Sequence, residues 1–151
     1  MLTGTTRNRW ELKLLSNRTL VGWVSRHKIL PVQREVLRQK LGDVEFVIFD
    51  KTYTDAEKLY EQIKSLGIKY AVIVLPYSMT AQLVQHKDIT WLHSDMQPVH
   101  NTNEKCLGEK CPEFHPETDV ILLSNDNKTI RHLRFMGFRV IKEVRIIFEE
   151  F

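Results

Sequence analysis

Three short, almost unbroken apolar runs recur at similar intervals along this chain: residues 20–25 (LVGWVS), 44–49 (VEFVIF) and 70–75 (YAVIVL). A strand with one wet face alternates apolar and polar residues, whereas a strand covered on both faces does not. The segments between the runs carry helical spacing instead. Pro31 can open a helix, because the N–H it lacks would be unpaired at a first turn. Val32, Val36, Leu37 and Leu41 then share one face, and Gly42 ends it. Thr54 and Glu57 read as a capping box for a second helix striped by Leu59, Ile63 and Leu66 and stopped at Gly67. Strand and amphipathic helix in alternation predict an α/β fold: a Rossmann-like three-layer sandwich with a mostly parallel central sheet, with antiparallel strands admitted at the edges.

The rest of the chain is read on the same rules. Residues 1–9 are a loose lead-in, and Trp10, Leu12 and Leu14 alternate with charge as a short half-exposed strand. A shorter helix is expected over about 78–85 and a strand over 89–92. Residues 96–119 hold three prolines and both cysteines and read as an irregular excursion. A strand is expected over 120–123, then a helix capped by Asp126 or Asn127 with Ile130, Leu133 and Met136 inward. A final strand over 138–148, kinked near Lys142, closes the pattern. With 151 residues, one domain accounts for the whole chain.

Composition narrows the function classes. Apolar residues at 42% and charged residues at 27% exclude intrinsic disorder. The longest uncharged apolar stretch is too short to span a bilayer. Arg7, Arg9, Glu11 and Lys13 leave no room for a secretory signal, so with only two cysteines a cytoplasmic setting is expected. A net charge of +3 favours an anionic ligand without requiring one. No G-x-G-x-x-G or G-x-x-x-x-G-K-[ST] follows a strand, which argues against a dinucleotide cofactor or a P-loop.

Ligands of open α/β sheets bind beyond the carboxyl ends of the strands. Those ends carry Ser25, Arg26, His27 and Lys28; Asp50 to Thr52; Pro76, Tyr77 and Ser78; His93, Ser94 and Asp95; and Ser124 and Asn125, with Arg131 and His132 further on. Arginine and lysine supply charge-assisted hydrogen bonds to phosphate, and histidine moves a proton near neutral pH. Against this stands the ordinary use of Ser, Asn and Asp as helix caps, and of Arg131 and His132 as a solvated helix face. Tyr53, Tyr77 and Trp91 are candidates to stack on a base, or to close the core.

A second constellation is His100, Cys106, Cys111 and His115. Two thiols and two imidazoles can close a tetrahedral zinc site, from which an irregular loop would gain order. Two free thiols, or a Cys106–Cys111 disulfide, are the alternatives.

Val24-Ser25-Arg26-His27, Leu75-Pro76, Ala81-Gln82 and Leu92-His93-Ser94-Asp95 together resemble one branch of the stand-alone CRISPR-associated ring nucleases, over roughly residues 20–98. Lys28-Ile29-Leu30 stands where that branch carries Pro-Gly-Ala. The resemblance implies a homodimer that binds cyclic oligoadenylate, the second messenger of type III CRISPR defence. It implies metal-independent cleavage by attack of a ribose 2′-hydroxyl on the neighbouring phosphate. By the motif, Arg26 would hold the scissile phosphate and His27 transfer the proton. Ser25, Lys28, Pro76, Tyr77, Ser78, His93, Asp95, Ser124 and Asn125 are the ligand-binding candidates from the strand-end argument. The competing expectations are a non-catalytic nucleotide sensor or sponge, and a zinc-stabilised nucleic-acid-binding protein using Arg7, Arg9, Lys13 and Arg18.

Overall fold

The computed structural model describes residues 18–100, 106–123 and 130–151. Strand β1 is Thr19–Val24, helix α1 Pro31–Leu41, β2 Val44–Ile48, α2 Ala56–Ser65, β3 Tyr70–Ile73, α3 Tyr77–Leu83 and β4 Thr90–Pro98. A 3₁₀ turn at Gly108–Lys110, β5 at Asp119–Leu123 and β6 at Ile130–Val140 complete the order. The half-exposed strand expected near Trp10 and the cap at Asp126 or Asn127 lie outside the described residues.

The six strands form one sheet in the order β2-β1-β3-β4-β6-β5. The first four run parallel, while β6 pairs antiparallel with both β4 and β5. The expected Rossmann-like sandwich with a mostly parallel sheet is therefore corrected to a mixed sheet, because the described part of the expected helix, from Ile130 on, is strand β6. Ile130, Leu133 and Met136 fit a helical period. Leu133 and Phe135, both buried, fit a strand equally well. Pairing decides: β6 finds β4 from Leu92↔Val140 to Pro98↔Leu133, and β5 from Asp119↔Arg134 to Leu123↔Ile130. Strand β4 runs past the expected Leu92 to Pro98, with a bulge between Asp95 and Met96. The final strand ends at Val140, and residues 141–151 carry no regular structure.

Period-2 alternation in β1 divides the core. Val21 and Trp23 pack with Leu37 of α1, Val72 and Leu92 on one face. Val24 packs on the other face with Leu59 and Ile63 of α2 and Met79 and Leu83 of α3. Between them, Gly22 leaves space that a Cβ would take up at 3.4 Å from the Ala71 Cβ. Gly42 ends α1 at a φ of 79°, a conformation that favours glycine. The cap of α2 is Asp55, whose carboxylate accepts from the Lys58 N–H, one residue beyond the expected Thr54. Among the described residues, no helix is long and apolar enough to cross a membrane.

Candidate functional sites: an edge pocket and a histidine–cysteine cluster

Beyond the ends of β1 and β3, and alongside the middle of β4, lies a cavity of about 650 Å³. That volume suits one small molecule. Trp23, Leu30, Ile73, Leu75 and Met96, with Val120, Leu122 and Leu133 of β5 and β6, supply apolar surface. Among the described residues its titratable lining consists of His27, Lys28, Tyr77, His93 and Arg131, with no carboxylate. These groups are solvent-exposed, so their attraction for an anion is the modest one of surface cations.

The loop after β1 is held in place by specific bonds. The Trp23 indole N–H donates to the His27 carbonyl at 2.9 Å, and the His27 N–H donates to Ser25 Oγ at 3.1 Å. Buried Gln33 accepts from the Leu30 N–H at 2.8 Å and donates to Ser94 Oγ at 2.9 Å, tying the start of α1 to β4.

The structure separates the paired candidates. His27 lines the cavity, together with Ser25, Lys28, Tyr77 and His93. Arg26 does not: its guanidinium donates to the Thr52 hydroxyl at the end of the neighbouring strand β2. Pro76 and Ser78 are exposed at the start of α3 and outside the lining. Asp95 pairs with Arg139 across β4–β6 at 3.2 Å. Ser124 and Asn125 lie outside the described residues. Tyr53 packs edge-on against Phe49, and Trp91 is buried with its indole N–H on the His86 carbonyl, so both serve the core. Sequence reasoning missed Gln33, Thr80 and Met96, and gave Arg131 to a solvated helix. Alternation along β6 is the signal that would have put Arg131 and Leu133 on one face.

The other face of the β5–β6 ribbon carries the second site. His100, Cys106, Cys111 and His132 bring one donor atom each within 4.8 Å of one another, a group that could hold a metal ion. The closest approaches are His132 Nδ1 to His100 Nε2 at 3.2 Å, Cys111 Sγ to His100 Nε2 at 3.3 Å and Cys106 Sγ to His132 Nδ1 at 3.6 Å. The expected fourth member, His115, is replaced by His132. His115 instead contributes its backbone N–H to Asp119 at 3.1 Å. Both cysteines are free thiols, so the disulfide alternative is corrected.

Asp119 anchors this site from behind. Its buried carboxylate accepts from Thr118 Oγ1 at 2.7 Å, from Arg134 Nε at 2.8 Å and from Arg134 Nη2 at 3.0 Å, and lies 2.6 Å from His132 Nε2. Burial alone would push its pKa up, but the bonds from Arg134, Thr118, His132 and the His115 N–H outweigh that and hold it far below the usual carboxylate range. No family model, curated protein or solved structure matches this chain. The ring-nuclease resemblance therefore rests on its short motifs alone.

Proposed function

We propose that the edge pocket binds a phosphodiester nucleotide, and that cyclic oligoadenylate is the ligand class the Val24–His27, Leu75-Pro76 and Leu92–Asp95 motifs point to. The observation that carries this reading is the cavity's lining: Lys28, Arg131, His27 and His93 beside apolar side chains, with no carboxylate among the described residues. Cations meet phosphate, and the apolar lining meets a base. A cavity of about 650 Å³ encloses roughly one nucleotide of such a ring. In this reading a second copy of the chain facing the first would take the remainder.

The activity to test is ring opening. The ribose 2′-oxygen attacks phosphorus, the bond to the 5′-oxygen breaks, and a 2′,3′-cyclic phosphate forms. His27 accepts the 2′-hydroxyl proton, and the leaving oxygen takes one up in turn. Lys28 and Arg131 counter the charge gathering on the phosphoryl oxygens. Arg26 has no such part in this reading, since Thr52 engages it. That same engagement favours the second reading, a sensor or sponge that binds without cleaving. The histidine–cysteine cluster fits a structural zinc ion, and reduced thiols fit a cytoplasmic setting.

Calorimetry with cyclic tetra- and hexa-adenylate, with mass spectrometry of the products, tests the proposal. Saturable binding that weakens at least tenfold in Lys28→Ala and Arg131→Ala supports the pocket. Linear products lost in His27→Ala, with binding retained, support cleavage; binding without products supports the sensor. Wild-type protein that binds neither ring overturns the nucleotide reading.

A further inference from the structure

The proton positions in the histidine–cysteine cluster can be read from its neighbours. His132 Nε2 and Asp119 Oδ2 are 2.6 Å apart, and both side chains are fully buried. An ionised carboxylate only accepts, so Nε2 carries the hydrogen and Nδ1 presents a lone pair inward. His100 Nδ1 lies 3.7 Å from the Glu113 carboxylate, and its Nε2 faces the cluster. The two inward ring nitrogens lie 3.2 Å apart, with a thiol beside each. Deprotonated, these four donors would converge on a cation at their centre.

Three of its donor–donor separations suit a small tetrahedral cation. Tetrahedral zinc with typical Zn–N and Zn–S bonds holds two nitrogens about 3.3 Å apart, and a nitrogen and a sulfur about 3.6 Å apart. The three closest separations, 3.2, 3.3 and 3.6 Å, lie close to those edges. We infer that His100 Nε2, Cys106 Sγ, Cys111 Sγ and His132 Nδ1 form a closed tetrahedral zinc site whose outer shell is the Asp119–Arg134 pair. Two further features belong to such a site. The Gly108 N–H points at Cys106 Sγ at 3.4 Å, a bond that suits a thiolate. Gly108 has a φ of 71°, which permits the tight turn between the two cysteines. Carboxylate–histidine–metal relays of the Asp119–His132 kind fix the ligand's tautomer and raise its basicity. Four protein donors leave no place for water or substrate, so the ion is structural and clamps the 106–111 segment to β6.

This assignment goes beyond the nucleotide reading and does not depend on it. Full-length protein, stripped of metal under reducing conditions, is titrated with cobalt(II) and then with zinc. One cobalt per chain with the strong visible bands of tetrahedral coordination and a near-ultraviolet thiolate charge-transfer band is expected, displaced by zinc. Cys106→Ser weakens the charge-transfer band, and His115→Ala leaves both spectrum and stoichiometry unchanged. Asp119→Asn keeps the tetrahedral spectrum with affinity reduced 10–100-fold. Weak octahedral bands, absence of the thiolate band, loss of the site in His115→Ala, or failure of the folded wild-type chain to bind one equivalent would each overturn the assignment. His132→Ala is the most direct variant but removes a buried partner of Asp119. Wild-type and Cys106→Ser spectra therefore decide the matter where that variant does not fold.

Discussion

The two halves of the sheet are held together by different physics. Around β1 and β3, Leu59, Ile63, Ile68, Val72 and Leu83 are almost wholly withdrawn from water, and hydrocarbon burial does the work. Around β5 and β6, the side chains withdrawn from water include Asp119 and His132, and their hydrogen bonds to each other and to Thr118 and Arg134 offset the cost of burying them. The first kind of cohesion is non-directional and tolerant. The second requires each partner to be present and fails when one is removed. The edge pocket is lined from both halves, by Lys28 after β1 and by Arg131 of β6 among others.

The largest expected effect is metal removal. Chelation should abolish hydrogen-exchange protection of the β5–β6 amides while leaving that of β1 and β3 in place; uniform loss across the sheet would erase the distinction. Next comes Asp119→Ala, which leaves His132 and Arg134 without their shared carboxylate and should cost about 4 kcal/mol in denaturant unfolding. Leu59→Ala, a cavity among hydrocarbon neighbours, should cost about 3 kcal/mol. Its cost should be the same with and without zinc, whereas a metal-dependent cost would mean that the halves unfold as one coupled unit. The smallest effect is Asp55→Ala, which removes the cap of α2 and should lower stability by about 1 kcal/mol with no change at the cluster.

The same division explains what could be read from the sequence. Residues 20–25 and 70–75 announce their strands because a covered strand is built from apolar residues, and Pro31 and Gly42 bracket α1 through their own backbone chemistry. Residues 44–49 do hold a strand, but β2 lies at the sheet edge and is only partly buried, not the buried strand expected. Strand β6 does not announce itself. Leu133, Phe135 and Met136 suit either period, and an Asn- and Asp-rich stretch before them serves a helix cap or a hairpin connection alike. The metal cluster shows the same limit. His100, Cys106 and Cys111 are adjacent enough in the chain to be grouped by spacing. His115 looks like their natural fourth, whereas His132 reaches them only because Leu133 pairs with Val120 and Pro98 and brings β6 alongside. Arg26 and His27, neighbours in sequence, diverge for a local reason: the first meets Thr52, and the backbone of the second is pinned by Trp23 and Ser25.

That pinning by Trp23 gives the protein an optical consequence. Its indole both borders the cavity and is bonded to the carbonyl of the residue best placed to act there. A guest entering the cavity alters the polarity around that ring and with it the wavelength of its emission. Trp91, sealed in the core below α2 and α3, keeps a constant spectrum beside it.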